Sequence, residues 1–314
     1  ATFSPSVHYT GGQPGRMALE FTGPGSFDID NFRIYRTDAG YLDLLPEDLG
    51  AIRSSGMGFL RTHGFIKTRT RTYDLAQLTN AGGVADATSK GATLPQLLAA
   101  VRQANTRPWL QVEFHLSPAE WAGLVEYLAA RYSPAQDSAQ AKPWAYKRFK
   151  QGREPPWADA FEKIYVELGN ETWNRLFAPW IFEPMRDAET GQEYSGGAAY
   201  GLFQEYVISL WKSSPYWHTA GLEGNVELVL GGQGAGTMQY AFDAAAASPS
   251  SAFLAIGAYQ GGWDEAEGPP RMSPRSLFHV LNHVNQVGIP AAERFAAVAR
   301  DAAFRDGRFA AVGS

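Results

Sequence analysis

The residue best placed for chemistry is Glu171, in the run Glu167-Leu168-Gly169-Asn170-Glu171-Thr172-Trp173. The apolar segment 164–168 predicts a buried strand, so Glu171 falls just past a strand end, half shielded from water. A general acid that works near neutral pH needs such partial burial, or a neighbouring carboxylate, to keep its proton. Asn170 offers an amide that can bind a hydroxyl group, and Trp173 offers an aromatic face. The alternative is that Asn170 and Glu171 simply cap a helix.

Alternating helices and short apolar strands are predicted to position this carboxyl group. Apolar segments predict strands at 57–60, 109–114, 164–168, 226–230, 253–256 and 308–312. Periodicity and capping residues predict helices at 45–55, 94–104, 117–131, 197–212, 238–247, 274–287 and 290–306. The third of these opens with the capping box Ser117-Pro118-Ala119-Glu120. Segment 133–158 is predicted to be a long polar loop.

Strands separated by helices indicate a parallel α/β fold, either a doubly wound sheet or a (β/α)8 barrel. The run Gly231-Gly232-Gln233-Gly234-Ala235-Gly236 follows a late strand without the spacing of a dinucleotide loop, which favours a tight strand-to-helix loop. Polar and aromatic residues gather where strands end, as at the active-site rim of a barrel. These residues are Arg61, His63, Glu113, His115, Asn170, Glu171, Gln233 and Tyr259. The sequence therefore favours a (β/α)8 TIM-type barrel over residues 39–314.

The first 38 residues have a different pattern. Segments 17–21 and 27–35 alternate with a period of two between Gly and Pro residues, which predicts strands. Two or three strands cannot close a sandwich alone. Residues 1–38 are therefore predicted either to pad the barrel or to form the last strands of a β-sandwich.

Composition excludes several classes of protein. The chain has 314 residues, of which 45% are hydrophobic and 19% charged, as in an ordinary globular protein. A net charge of −5 argues against a broad nucleic-acid-binding surface. With no cysteine, disulfides and thiolate chemistry are excluded, and no apolar stretch reaches the roughly 18 residues that span a bilayer. The 9 Trp and 14 Tyr fit either a well-filled core or a sugar-binding cleft.

The run Leu168-Gly169-Asn170-Glu171 resembles the strand-four Asn-Glu motif of a large clan of retaining (β/α)8-barrel glycoside hydrolases. Phe59-Leu60-Arg61-Thr62-His63-Gly64 resembles the Leu-Arg-x-Pro-Gly-Gly segment of glycoside hydrolase family 51, the α-L-arabinofuranosidases and some endoglucanases. Thr and His stand where Pro and Gly are usual. The stretch from Leu124 through Gly152-Arg153-Glu154-Pro155 is similar to the same family, so the resemblance covers roughly 45–260. Segment 27–35 resembles the closing strand of a carbohydrate-binding β-sandwich.

The resemblance implies that Glu171 is the acid/base of a double displacement with retention, and that Asn170 contacts the sugar. Of the His-x-Tyr that is usual on strand six, only Tyr259 has a match. Substrate-binding roles are predicted for Asn170, Trp173, Arg61, His63, His115, Tyr259 and Trp263. The alternative for Arg61 is a structural salt bridge, and for the two histidines a satisfied polar position. Glu167 is predicted to be a structural partner inside the barrel. No metal or cofactor is implied, because Glu113 and His115 alone are too few ligands.

Retention also requires a nucleophilic carboxylate, which the clan places at the end of strand seven. With 57–60 counted as strand two, strand seven is 308–312, and the sequence ends at Ser314. The nucleophile and the last strand are therefore predicted to lie beyond residue 314, in the rest of a longer protein or in a second polypeptide fragment that completes the barrel. Glu265 and Glu267 are the alternatives within the chain.

Together these patterns predict a retaining glycoside hydrolase, secreted or periplasmic, that acts on plant or microbial polysaccharide or oligosaccharide without a cofactor. Neither nucleic acid nor membrane is expected as a partner. Two alternatives stay open: a carbohydrate-binding barrel without catalysis, and a glycan lyase. The type of sugar and linkage does not follow from the sequence.

Overall fold

The structure is a computed structural model that describes residues 22, 24–26, 44–62, 74–81, 93–177, 181–233 and 238–257, and the backbone of 310–313. The chain divides into two compact units, Ala1–Ile34 and Tyr35–Ser314. The predicted strands at 17–21 and 27–35 and the predicted helices at 274–287 and 290–306 lie outside the described residues. So do His63, Tyr259, Trp263, Glu265 and Glu267.

Short strands alternate with helices along the second unit. The strands are β1 (Phe59–Thr62), β2 (Arg107–Val112), β3 (Ile164–Leu168), β4 (Met185–Arg186), β5 (Glu193–Tyr194), β6 (Val226–Gln233), β7 (Phe253–Gly257) and β8 (Ala310–Gly313). The α-helices are α1 (Pro46–Ser55), α2 (Leu75–Leu78), α3 (Leu94–Gln103), α4 (Pro118–Ala129), α5 (Pro143–Lys150), α6 (Gly196–Lys212), α7 (Pro215–Thr219), α8 (Leu222–Asn225) and α9 (Met238–Ala247). Single 3-10 turns lie at Ala158–Ala160 and Arg175–Phe177. Within the described residues, no helix has the length and apolar character needed to cross a membrane.

Most element positions agree with the predictions, but two need correction. The polar loop predicted at 133–158 contains α5, which begins at a proline. Glu126 caps this helix, because its carboxylate accepts the backbone N–H groups of Trp144 at 2.7 Å and Ala145 at 3.0 Å. A cap supplied by another helix leaves no local signal in the sequence. The glycine-rich run was predicted to be a loop, yet Gly231 and Gly232 lie inside β6.

Six strands form one parallel sheet in the order β1-β2-β3-β6-β7-β8. Each successive strand of this sheet is added on the same side as the one before. A doubly wound sheet instead reverses its order at a switch point, so the described strands do not have that arrangement. An order without reversal is the one that the wall of a (β/α)8 barrel has.

The two faces of the sheet pack against different partners. One face and the helices bury the main hydrophobic core, which includes Leu110, Val166, Leu228 and Leu254. The other face has a separate apolar cluster built from strand residues alone: Phe59, Trp109, Tyr165, Val229, Phe253 and Ala255. Because side chains alternate along a strand, Arg61, Gln111 and Glu167 lie on this second face. A barrel encloses a face of this kind.

The predicted capping box at the start of α4 is present and also ties this helix to α2. The Glu120 carboxylate accepts the Ser117 N–H at 2.8 Å, the Ser117 hydroxyl at 2.6 Å and the Leu75 N–H at 2.9 Å. Burial by itself raises the pKa of Glu120, but the hydrogen bonds from Ser117 and Leu75 outweigh it and hold this pKa below its usual range.

The variant E120Q is expected to lower the free energy of unfolding by about 1 kcal/mol near neutral pH, because a neutral amide is a weaker acceptor for these donors. The folded-state pKa is depressed, so the carboxylate stabilises the fold above the unfolded-state pKa and stops doing so as pH falls through the folded-state value. The difference from wild type in urea unfolding should therefore narrow as pH falls from neutral to below the ordinary range of a glutamate pKa.

The matched control is E162Q, at an exposed glutamate paired with Arg107, for which a change within about 0.5 kcal/mol is expected. An E120Q effect of the same size at acidic and at neutral pH would contradict the stabilising role of the ionised Glu120 carboxylate.

Candidate active site

Glu171 lies in a tight loop with an uncommon backbone conformation. Gly169 and Glu171 both adopt left-handed conformations, with φ of 76° and 45°. A side chain at Gly169 would also meet Thr172, since a Cβ there would lie 2.5 Å from Thr172 Cγ2. For glutamate the left-handed conformation is unfavourable by roughly 1–2 kcal/mol and persists only where neighbouring contacts enforce it.

Hydrogen bonds at Glu171 and at the residues that follow it enforce this conformation. The Asn174 backbone N–H donates to the Glu171 carbonyl oxygen at 2.8 Å, and Asn174 Nδ2 donates to Glu171 Oε2 at 2.6 Å. Thr172 is buried and accepts the Tyr240 hydroxyl on its Oγ1 at 3.0 Å, while its carbonyl accepts the Phe182 N–H at 2.9 Å. The loop therefore holds a half-buried carboxyl group in one orientation at the end of β3.

An ion pair between Arg61 and the buried carboxylate of Glu167 contacts this loop through Asn170. Arg61 donates from Nε to Glu167 Oε2 at 2.7 Å and from Nη2 to Glu167 Oε1 at 3.0 Å. The Glu167 side chain is only 4% exposed and that of Arg61 27%. The charge of Glu171 also acts on Arg61. Arg61 therefore pairs with the Glu167 carboxylate and is close enough to Glu171 for the charge of Glu171 to act on it.

The pKa values follow from burial and this pairing. Burial raises the pKa of Glu167, the two hydrogen bonds from Arg61 oppose that rise, and the charge of the nearby Glu113 adds to it. Burial alone lowers the pKa of Arg61, but the hydrogen bond and charge of Glu167 outweigh it and leave this pKa above its ordinary value. Arg61 thus stays a fixed positive charge in the site.

The same guanidinium orients the side chain of Asn170. Arg61 Nη2 donates to Asn170 Oδ1 at 3.0 Å, so the amide turns its Nδ2 away from the arginine. Asn170 is buried, and its Nδ2 has no acceptor among the described residues. Because an unsatisfied buried donor is unfavourable, the oxygen of a bound molecule would stabilise this arrangement.

Aromatic side chains flank the loop on the β6 side. The Trp173 and Tyr240 rings meet edge to face with centroids 6.1 Å apart, and Tyr240 in turn stacks on the buried Tyr200. Burial raises the pKa of Tyr240, so its hydroxyl stays a neutral donor to Thr172. Trp173 is half-buried and follows Glu171 by two residues in the same loop.

Of the predicted site residues, the structure brings four together around the end of β3: Glu171, Asn170, Arg61 and Trp173. His115 lies beyond the end of β2 and is half-buried. Glu113 is fully buried and its Oε1 accepts the Gln111 amide at 2.7 Å. No group of three or more acidic or histidine side chains in the described part of the chain could hold a metal ion.

Sequence reasoning missed Asn174, Tyr240 and Gly231. Gly231 had a signal, since a glycine inside an apolar strand often marks the close approach of another group. A Cβ on Gly231 would lie 2.6 Å from Glu167 Oε1 and 3.7 Å from Trp173 Cζ3. Gly231 therefore leaves room for the Glu167 carboxylate beneath Trp173.

The fold found here is one that solved glycoside hydrolases share. The crystal structure of the GH51 arabinofuranosidase from Xanthomonas axonopodis pv. citri is similar, with a TM-score of 0.53 and 15% identity over 86% of this chain and 50% of that one. A family 51 α-L-arabinofuranosidase from Bifidobacterium longum matches with a TM-score of 0.53 and 16% identity over 88% of this chain and 48% of that one.

The chain therefore has a family 51-like glycoside hydrolase fold, which confirms the resemblance predicted from the sequence at the level of the fold. It spans about half the length of these two structures. No protein-family model and no curated protein sequence matches it.

The variant G231A is expected to lower the free energy of unfolding by about 1–3 kcal/mol, because the new methyl group displaces a carboxylate that Arg61 holds in place. Gly224 in α8 is the matched control, since a Cβ there meets nothing within 4 Å. G224A should be neutral or slightly stabilising. Urea unfolding of the two variants measures both effects, and a G231A protein as stable as G224A would refute the close approach.

Proposed function

We propose that this chain forms the catalytic barrel of a retaining glycoside hydrolase, with Glu171 as the general acid and base. The observation that carries the proposal is the arrangement around Glu171. A half-buried carboxyl group stands in an enforced loop at a strand end, next to a buried Asn170 donor that needs an acceptor and near the charge of Arg61. The family 51-like fold supports the same assignment.

The proposed reaction has two steps. In the first, Glu171 gives its proton to the leaving oxygen while a second carboxylate attacks the anomeric carbon and forms a glycosyl-enzyme. In the second, Glu171 takes a proton from water as that water attacks the anomeric carbon and releases the second carboxylate. Asn170 Nδ2 donates to a sugar hydroxyl, and Arg61 keeps the Asn170 amide in the orientation that makes this possible.

The remaining assignments extend this proposal. The six parallel strands belong to a closed (β/α)8 barrel, and residues 1–38 end a carbohydrate-binding β-sandwich. Trp173 provides a stacking face for substrate, with His63, His115, Tyr259 and Trp263 as further contacts. The protein is secreted or periplasmic and acts on polysaccharide or oligosaccharide. Because the two similar structures are arabinofuranosidases, α-L-arabinofuranosides are the first substrates to test.

The variant E171Q, made in the full-length protein, should reduce kcat by about 10²- to 10⁴-fold on a substrate with a poor leaving group while sugar binding persists. In E171A, azide should restore turnover of an activated aryl glycoside, because azide attacks the glycosyl-enzyme without a general base.

The matched control is E183Q, at an exposed glutamate paired with Arg175 in the segment after the Glu171 loop, and its turnover should equal wild type. Unchanged turnover in E171Q would remove Glu171 from the mechanism. Loss of sugar binding together with turnover would favour a structural role.

The nucleophile is proposed to be a glutamate beyond residue 314, and a 2-deoxy-2-fluoro glycoside with a good leaving group should identify it. Such a reagent forms a long-lived ester with the attacking carboxylate, and peptide mass mapping then locates the ester. Labelling of Glu265 or Glu267 would place the nucleophile inside this chain instead. Binding without any ester would favour the carbohydrate-binding alternative.

A further inference from the structure

Asn174 contacts Glu171 through both its backbone and its side chain. It lies three residues after Glu171 and is half-buried. Its Nδ2 is 2.6 Å from Glu171 Oε2, and its Oδ1 accepts the backbone N–H of Leu176 at 3.0 Å. These contacts join one oxygen of the proposed acid/base to the backbone of its own loop.

The contact with Leu176 decides which atom of the Asn174 amide faces Glu171. A backbone N–H can only donate, so the amide atom that it meets is the oxygen, and Nδ2 is left to face the carboxyl group. An N–H that donates to Glu171 Oε2 leaves no room for a proton on that oxygen in the same direction. Because a carbonyl oxygen accepts such an N–H better than a hydroxyl oxygen does, the proton of a protonated Glu171 is favoured on Oε1.

We propose that Asn174 is the positioning residue of the acid/base: it fixes the plane of the Glu171 carboxyl group and directs the transferable proton to Oε1. This inference rests on the proposed function of Glu171. A general acid works only when its proton points at the leaving oxygen, so a carboxyl group free to rotate would be productive for only part of the time.

Most of the contacts that hold the Glu171 loop do not involve the Asn174 side chain. The turn is closed by the Asn174 backbone N–H, which every residue except proline retains. Leu176 is 88% exposed, so water can replace the Oδ1 acceptor at its N–H. Variants at Asn174 should therefore fold, and their defects should report on the Glu171 carboxyl group.

Two variants separate positioning from structure. N174A removes the donor, and N174D keeps the size and the Leu176 contact but places an oxygen where Nδ2 was. In N174D the two carboxyl groups face each other across 2.6 Å and share a proton on the Oε2 side, which draws the proton away from Oε1. N174D should therefore be at least as impaired as N174A.

The decisive measurement is kcat/KM of the full-length protein on two aryl glycosides, one with a poor and one with an activated leaving group. kcat/KM reports the first step, in which only the poor leaving group needs a proton. N174A should lose about tenfold on the poor leaving group and less than about twofold on the activated one. Melting temperatures of both variants should stay near that of wild type.

The matched control is N225A, because Asn225 also donates its amide N–H to backbone carbonyls, those of Ala158 and Phe161, with no contact to Glu171. Its effect, if any, should be equal on the two substrates. Equal losses of kcat/KM on the two substrates in N174A, or no loss in either Asn174 variant, would overturn the positioning role. Full activity in E171Q would instead overturn the proposed function, so the two failures are distinguishable.

Discussion

The arrangement of the site depends on the buried ion pair between Arg61 and Glu167. A carboxylate with 4% exposure is stable only with a partner, and the partner comes from β1, with β2 lying between the two strands. Arg61 crosses β2 above the Trp109 ring, with its guanidinium carbon 5.6 Å from the ring centroid. Gly231 on β6 leaves the space that the carboxylate fills. The Arg61–Glu167 pair thus constrains Trp109 on β2 and Gly231 on β6.

The Arg61–Glu167 pair also gives the adjacent residues Asn170 and Glu171 different environments. Arg61 also holds Asn170, which is buried, whereas Glu171 turns to the half-buried rim. The left-handed backbone at Gly169 and Glu171 makes this possible, since it ends the regular alternation of β3. The strain at Glu171 is therefore the structural consequence of placing a fixed donor and an adjacent carboxyl group at one strand end.

Sequence patterns predicted the structural features that depend on residues close to one another in the chain. The capping box of α4 and strand β3 are where periodicity and turn residues placed them, and the position of Glu171 followed from the end of β3. The missed features depend on distant partners: α5 is capped from α4, and Arg61 pairs with a residue 106 positions away. The sequence left Arg61 between a substrate contact and a salt bridge, and only the three-dimensional structure shows its pairing with Glu167.

The second face of the sheet carries an apolar layer, and the charged side chains of this face follow it along the strands. Its lower layer is aromatic, with Phe59 packed 5.3 Å from Trp109 and 5.8 Å from Tyr165, and Tyr165 5.7 Å from Phe253 between ring centroids. A charged side chain in that layer would lack a partner. The charged residues Arg61 and Glu167 lie two positions further along their strands, where they pair with each other. There Arg61 also lies over the Trp109 ring of this layer. In the proposed mechanism Glu171 exchanges protons with substrate and water, and its position past the end of β3 lies beyond the apolar layer.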